Sequence, residues 1–344
     1  MLTEQRSNLA GHFPAADGIR GLAVLVVLVA HALVMFIPAT RPYLGGTGKI
    51  GVWLFFVLSA FLLTNKFLKK GINIKSVSEY FLGRFLRILP LFFIASVFYF
   101  YMGYYNTETL KNVLAFQQGF AHLWTIPVEF KFYFMLPIFL IAFQAIKKRF
   151  GAFSVAFLAI LITIAFRYFY PVSLLQENSI ETRWYISSFI VGIILSYILR
   201  NMNIPPRKYG FYILALLFLI LLIIPSFCKL ITGRVIVPNL ATSYLSISIV
   251  WAIFIYFSLL DTGVTSSILS SSLMRKIGNH SFSTYLAHWF VLTQLAKKYT
   301  DSIPMMLLSI VASLLLGAII YFVFEKNIET FRHRVQKVMA SPSK

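Results

Sequence analysis

The chain has 344 residues, 59% hydrophobic and 12% charged, with a formal charge of +20 at pH 7. A soluble domain carries roughly 25% charged residues, so this composition excludes an ordinary soluble protein and points to lipid as the solvent. The basic excess is spread between apolar runs, which argues against a nucleic-acid-binding face, and the single Cys228 excludes an intramolecular disulfide or a multi-cysteine metal site.

Apolar runs of about 20 residues, the length that crosses a bilayer as a helix, recur from end to end. They predict an all-α fold, a polytopic membrane helix bundle with about ten transmembrane helices. The expected spans are 19–37, 50–68, 88–105, 124–146, 151–170, 184–200, 211–231, 241–260, 282–299 and 303–324. The first lacks the clustered basic flank of a signal peptide and reads as a retained helix. Residues 106–123, NTETLKNVLAFQQGFAHL, are too polar to span and read as a loop or an interfacial helix. EKNIETFRHRVQKV, after the tenth span, reads as a basic helix on the cytoplasmic leaflet. The expected organisation is one transmembrane domain, 1–325, and a basic cytoplasmic tail, 326–344. With the N-terminus inside, 21 of the 31 Lys and Arg fall in cytoplasmic segments. The positive-inside bias therefore predicts a multi-pass protein of the cytoplasmic (inner) membrane with both termini in the cytoplasm.

Against this greasy background a few polar residues stand out. In DGIRGLAVLVVLVAH, Arg20 and His31 are eleven residues apart. At 3.6 residues per turn they share one helix face, roughly 16 Å apart along the axis. Intramembrane ionisable groups usually face a bundle interior or a watery cavity, so this face marks a track from the cytoplasmic mouth toward the membrane centre. A neutral buried imidazole suits a packed structural residue and a general base equally. Glu129 is the one acidic residue expected well inside a span. It cannot share a face with Lys131 two residues on, so its partner is expected on another helix or in water. Arg84 and Arg87, three apart, lie on one face and serve either as topology anchors or as a phosphate clamp. His288 reads as structural or chemical, and His122 sits beside an expected outer boundary.

These segments resemble the acyltransferase 3 family, integral membrane proteins that O-acylate sugars and other acceptors. The family's Arg, ten residues, His signature is matched by Arg20 and His31. GVWLFFVLSAFLLT follows, then YFLGRFLRILP with the RxxR pair as Arg84 and Arg87. LWTIPVEFKFYFMLP carries the family's Glu and Tyr as Glu129 and Tyr133, and IGNHSFSTYLAHW comes last. The chain departs from common members at Trp53, where Asp is frequent, at Ala60, where Gly is frequent, and at Thr125 and Pro127. No serine-esterase-like domain is expected after the tenth span.

The resemblance implies an O-acyltransferase, most readily an O-acetyltransferase. It would move an acyl group from cytoplasmic acetyl-CoA, or another acyl-CoA, to a hydroxyl of a cell-surface carbohydrate or lipid-linked sugar, with no metal. Arg20, Arg84 and Arg87 would hold the donor's phosphates. His31 would act either as general base or as an acyl-accepting nucleophile. Glu129 would orient His31 or its partner, or offset developing positive charge, and Tyr133 would be a candidate donor to the oxyanion. Membrane lipids and a separate extracytoplasmic transfer protein are the other implied partners; no nucleic acid is. Two alternatives belong to other classes. One is a proton-coupled transporter using His31 and Glu129 as a relay, although paired Gly/Pro interruptions in two halves are not evident. The other is a b-type haem protein ligated by two histidines such as His31 and His288.

Overall fold

The computed structural model describes residues 13–201, 205–233 and 240–340. The N-terminal flank through residue 12, the last four residues of the expected tail, and 202–204 and 234–239 lie outside the described residues. Among the described residues there is no strand, only an isolated bridge between Arg207 and Asp261. The long helices are α1 (Pro14–Phe36), α2 (Gly48–Lys70) and α3 (Ile74–Tyr101). After the short α4 (Thr107–Leu114) come α5 (Thr125–Phe150), α6 (Phe153–Phe169) and α7 (Thr182–Asn201). The remainder are α8 (Gly210–Ile223), α9 (Pro225–Thr232), α10 (Tyr244–Leu260), α11 (Val264–Leu269), α12 (Ser272–Asn279), α13 (Ser281–Lys298), α14 (Ile303–Ile320) and α15 (Lys326–Ala340).

Each of the ten expected spans contains helix, and six helical segments are long and apolar enough to cross a membrane. α6, α8 and α10 are apolar but shorter. The boundaries move for identifiable reasons. α3 starts at Ile74, well ahead of the expected span, because Asn73 and Ser76 form a reciprocal cap: Asn73 Oδ1 accepts from Ser76 N–H and Ser76 Oγ from Asn73 N–H. Arg84 and Arg87 therefore sit inside a helix. The expected seventh span is broken in two. Pro225 holds Ile224 in an extended conformation (φ −68°, ψ 120°), so α8 stops there and Pro225 starts α9. Between α14 and α15, Tyr321–Glu325 is a π-helical segment, a widening that recurs at functional sites. α15 does not stand apart from the bundle: Gln336 Nε2 donates to the Glu79 carbonyl of α3.

Lipid solvates apolar side chains as well as a core does, so helices here associate by close packing and interhelical hydrogen bonds. α1 and α12 approach so closely that a Cβ at Gly278 would lie 1.8 Å from the Asp17 carbonyl oxygen. Polar side chains join other pairs: Trp251 Nε1 of α10 donates to the Ile50 carbonyl of α2, and Thr182 of α7 to the Val128 carbonyl of α5. Phe56, Phe132 and Phe189 stack where α2, α5 and α7 meet. At the corner after α10, burial works to raise the Asp261 carboxyl pKa. Hydrogen bonds from Thr265 and from the Tyr209, Ser266 and Gly263 N–H groups outweigh it and hold the carboxyl below its usual range.

The segment between α3 and α5 does not remain at the periphery. After α4, Phe116 and Ala121 adopt left-handed φ values of 58° and 41°, conformations that cost of order 1–3 kcal/mol in a non-glycine residue. Between them the chain turns inward, and Ala121–Trp124 forms one 3₁₀ turn whose His122, Leu123 and Trp124 are buried. Phe116 stacks between Phe92 of α3 and Phe130 of α5, which anchors the descent. Irregular backbone is tolerated at depth when protein satisfies it. Here Tyr285 OH donates to the His122 carbonyl.

Candidate active site

The polar residues of the bundle gather in two adjoining places. The first is a cavity enclosing about 710 Å³ of space, part of it open to solvent. Arg20 from α1, Arg84 and Arg87 from α3, and Glu129 and Tyr133 from α5 all line it. Asp17, one turn earlier in α1, accepts from Arg20 at 3.1 Å and holds the guanidinium at the wall. Arg84 lies 5.8 Å from the centre of the Tyr133 ring, within cation–π range. Glu129 Oε1 accepts from Tyr133 OH one turn away and from Ser59 Oγ of α2, both at 2.6 Å. Lys131 looks elsewhere, pairing with Glu181 at 2.9 Å. Three guanidiniums face the cavity, Arg20 with Asp17 beside it and Arg87 with Glu325 behind it, and their planar forks suit phosphate oxygens.

Just behind Arg87, the π-helical segment aims Glu325 into the protein. Its carboxylate accepts from Ser283 Oγ at 2.6 Å and lies within electrostatic reach of Arg87. It also lines a smaller recess with Arg87, Glu329 and Arg332. Glu325 reads in sequence as an ordinary helix-end acid; only the widened turn brings it here.

The second place is a cluster of three histidines. His31 Nδ1 of α1 lies 3.0 Å from His288 Nε2 of α13, with the two rings 6° from parallel. Trp289 presents an edge-to-face contact to His31. His122, from the inward turn, packs against the His288 ring at 4.9 Å and stacks on Trp289. Both His122 ring nitrogens are buried, and the polar group within reach of the ring is the Leu286 backbone of α13. The direct contact of His31 with His288 leaves no gap for an iron between them, so a haem ligated by that pair does not fit.

His31 does not line the arginine cavity. Tyr285 and Thr125 do, and they separate it from the histidines. The Tyr285 hydroxyl meets Thr125 Oγ1 at 2.9 Å, while its backbone carbonyl contacts His288. Sharing a face of α1 thus brings Arg20 to the cavity and His31 to the histidine cluster, with Tyr285 and Thr125 lying between the cavity and His288 and His122. Glu129 lies on the arginine side, bonded to Ser59 and Tyr133 and not to His31. The sequence places His288 and His122 only as ambiguous residues. His288 meets His31 because α13 packs on α1, whereas His122 joins them through the inward turn, which is hidden in a segment whose polarity resembles that of an exterior loop.

A family model described as an acyltransferase domain, that of acyltransferase 3, matches residues 13–322. Two Staphylococcus aureus proteins, from strains COL and MSSA476, are provisionally named O-acetyltransferases and are each 26% identical over 341 residues. Each alignment covers 84% of this chain and 52% of the relative, so the chain spans about half the length of these curated relatives. A peptidoglycan O-acetyltransferase of Listeria monocytogenes, OatA, is 27% identical over 161 residues, 38% of this chain and 25% of its own. No solved structure matches. Two closely set compartments, one rich in arginine and one in histidine, lie within the matched residues, and the chain belongs to the acyltransferase 3 family.

Proposed function

We propose that this protein is a membrane O-acetyltransferase that takes the acetyl group of acetyl-CoA on the cytoplasmic side and delivers it to a hydroxyl of a cell-surface carbohydrate or lipid-linked sugar. The observation that carries the donor assignment is the convergence of Arg20, Arg84 and Arg87 on one cavity. The nucleotide end of CoA is polyanionic, and three guanidiniums facing a partly enclosed space offer it charge-assisted hydrogen bonds. Asp17 keeps Arg20 in place. Glu129, tied to Ser59 and Tyr133, stiffens the opposite wall and keeps the cavity from being uniformly cationic.

In this reading the pantetheine arm runs along α1 past the layer of Tyr285 and Thr125 toward His31. That layer must open for the thioester to pass. His31 removes the proton from the acceptor hydroxyl, whose oxygen bonds to the thioester carbonyl carbon. As the tetrahedral intermediate collapses, the carbon–sulfur bond breaks and the imidazolium returns the proton to the departing thiolate. Tyr133 donates to Glu129 and braces the cavity wall in this reading. A relay through His31 and Glu129, as a transporter would need, gains no support from two groups bonded to different partners on either side of Tyr285.

The test uses the full chain in proteoliposomes with labelled acetyl-CoA and carbohydrate extracted from the native envelope. Label appearing in base-labile esters on carbohydrate is the expected result. Solute accumulation or counterflow with no requirement for acyl-CoA would overturn the reading.

A further inference from the structure

Hydrogen-bond geometry around His31 carries a second conclusion, which rests on the reading of His31 as general base. His288 Nδ1 lies 2.6 Å from the Tyr285 backbone carbonyl oxygen. A carbonyl oxygen only accepts, so His288 Nδ1 bears the hydrogen. In neutral His288 the remaining nitrogen, Nε2, is then an acceptor. It faces His31 Nδ1 at 3.0 Å, so His31 Nδ1 bears a hydrogen and donates it. His31 Nε2 is left with its lone pair free.

The ring geometry supports a true hydrogen bond. The ring centres are 5.3 Å apart and the planes 6° from parallel. That separation equals the 3.0 Å nitrogen contact plus the radii of two five-membered rings. The contact therefore lies along the line of centres, in both ring planes, where donor hydrogen and acceptor lone pair point. Two rings packed face over face could not place their nitrogens and centres on one line.

The side chain that Gly48 lacks would otherwise crowd the free Nε2. That nitrogen faces Gly48, the first residue of α2, where a Cβ would sit 3.0 Å from it. The missing side chain leaves room beside the basic nitrogen. Trp289 meets the His31 ring edge-to-face at 87°, with the ring centres 5.3 Å apart, a contact that resists rotation of the imidazole.

We infer that His288 is a positioning residue: anchored by the Tyr285 carbonyl, it accepts from His31 Nδ1–H and so holds His31 in the tautomer whose Nε2 can take the acceptor's proton. During transfer the same bond stays in place and stabilises the imidazolium that forms, as an orienting acceptor does in other nucleophile–base pairs.

Three variants and one spectrum test this. His288→Phe removes the acceptor but keeps a planar ring. It should lower kcat by about 10²-fold or more, within the range of a mispositioned general base, and leave the KM for acetyl-CoA nearly unchanged. His288→Gln restores a carbonyl acceptor near the same place and should recover most of that loss, which a purely packing role would not produce. Nitrogen-15 spectra of histidine-labelled full-length protein should show His31 neutral with the hydrogen on Nδ1, a readout independent of activity and of variant folding. His31→Ala is measured alongside. If it abolishes transfer while His288→Phe keeps wild-type kcat, or if the spectrum puts the hydrogen of His31 on Nε2, the positioning role fails and the base reading survives. If His31→Ala retains turnover, the base reading fails first.

Discussion

At the residue scale, function depends on what each polar side chain is denied as much as on what it binds. Arg20 is turned to the cavity wall by Asp17, and His31 is turned to His288, so two residues on one helix face serve different compartments. Gly48 contributes by lacking a side chain. Gly48→Ala would bring a methyl group to 3.0 Å from His31 Nε2, tighter than an ordinary contact and inside the space an attacking hydroxyl needs. The expected outcome is a loss of kcat with acetyl-CoA affinity and thermal stability close to wild type. Wild-type kcat in that variant would mean that the acceptor reaches His31 from another direction. His31 and Glu129 stand out in the sequence as polar residues out of place in lipid, Arg20, Arg84 and Arg87 as arginines sharing a helix face with another polar residue, and Tyr133 only through the family resemblance. His122 and Glu325 do not stand out, because their roles come from a left-handed turn at Ala121 and a π-helical turn at Tyr321–Glu325. Neither conformation has a hydropathy signature.

At the element scale, the site is assembled by helix approaches that small residues permit. α1 carries Arg20 and His31, and its first half lies against α12 with backbone nearly touching backbone. A Cβ at Gly278 would meet the Asp17 carbonyl oxygen at 1.8 Å, a collision with main chain that no rotamer relieves. Gly278→Ala should therefore push α1 away from α12, at a cost of about 1–3 kcal/mol or more typical of overpacking. Because Asp17 holds Arg20, the same displacement should weaken CoA binding. Thermal unfolding in detergent and CoA titration check this; an unchanged midpoint would show that the helices separate freely. Helix existence was legible from apolar runs, since lipid demands long apolar helices. Helix ends were less so: the Asn73 cap extends α3, and Pro225 divides a run that composition alone reads as one span.

At the scale of the whole molecule, two compartments abut inside one bundle. An arginine-lined cavity suits a polyanionic donor, and a cluster of buried His122 and His288 with part-buried His31 suits proton transfer. The layer of Tyr285 and Thr125 divides them. The wall was illegible in the sequence because it joins α13 to the first residue of α5, 160 residues away in the chain. Its presence gives the division of labour a direct test: donor binding on one side and chemistry on the other should respond to different substitutions. The measurement is acetyl-CoA affinity and single-turnover acetyl transfer in purified Arg20→Ala and His31→Ala proteins. Arg20→Ala should weaken acetyl-CoA binding by about 10- to 100-fold, the worth of one charge-assisted contact, with transfer recovering at saturating donor. His31→Ala should bind acetyl-CoA as the wild type does and transfer nothing. Full turnover in His31→Ala, or undiminished donor affinity in Arg20→Ala, would contradict it.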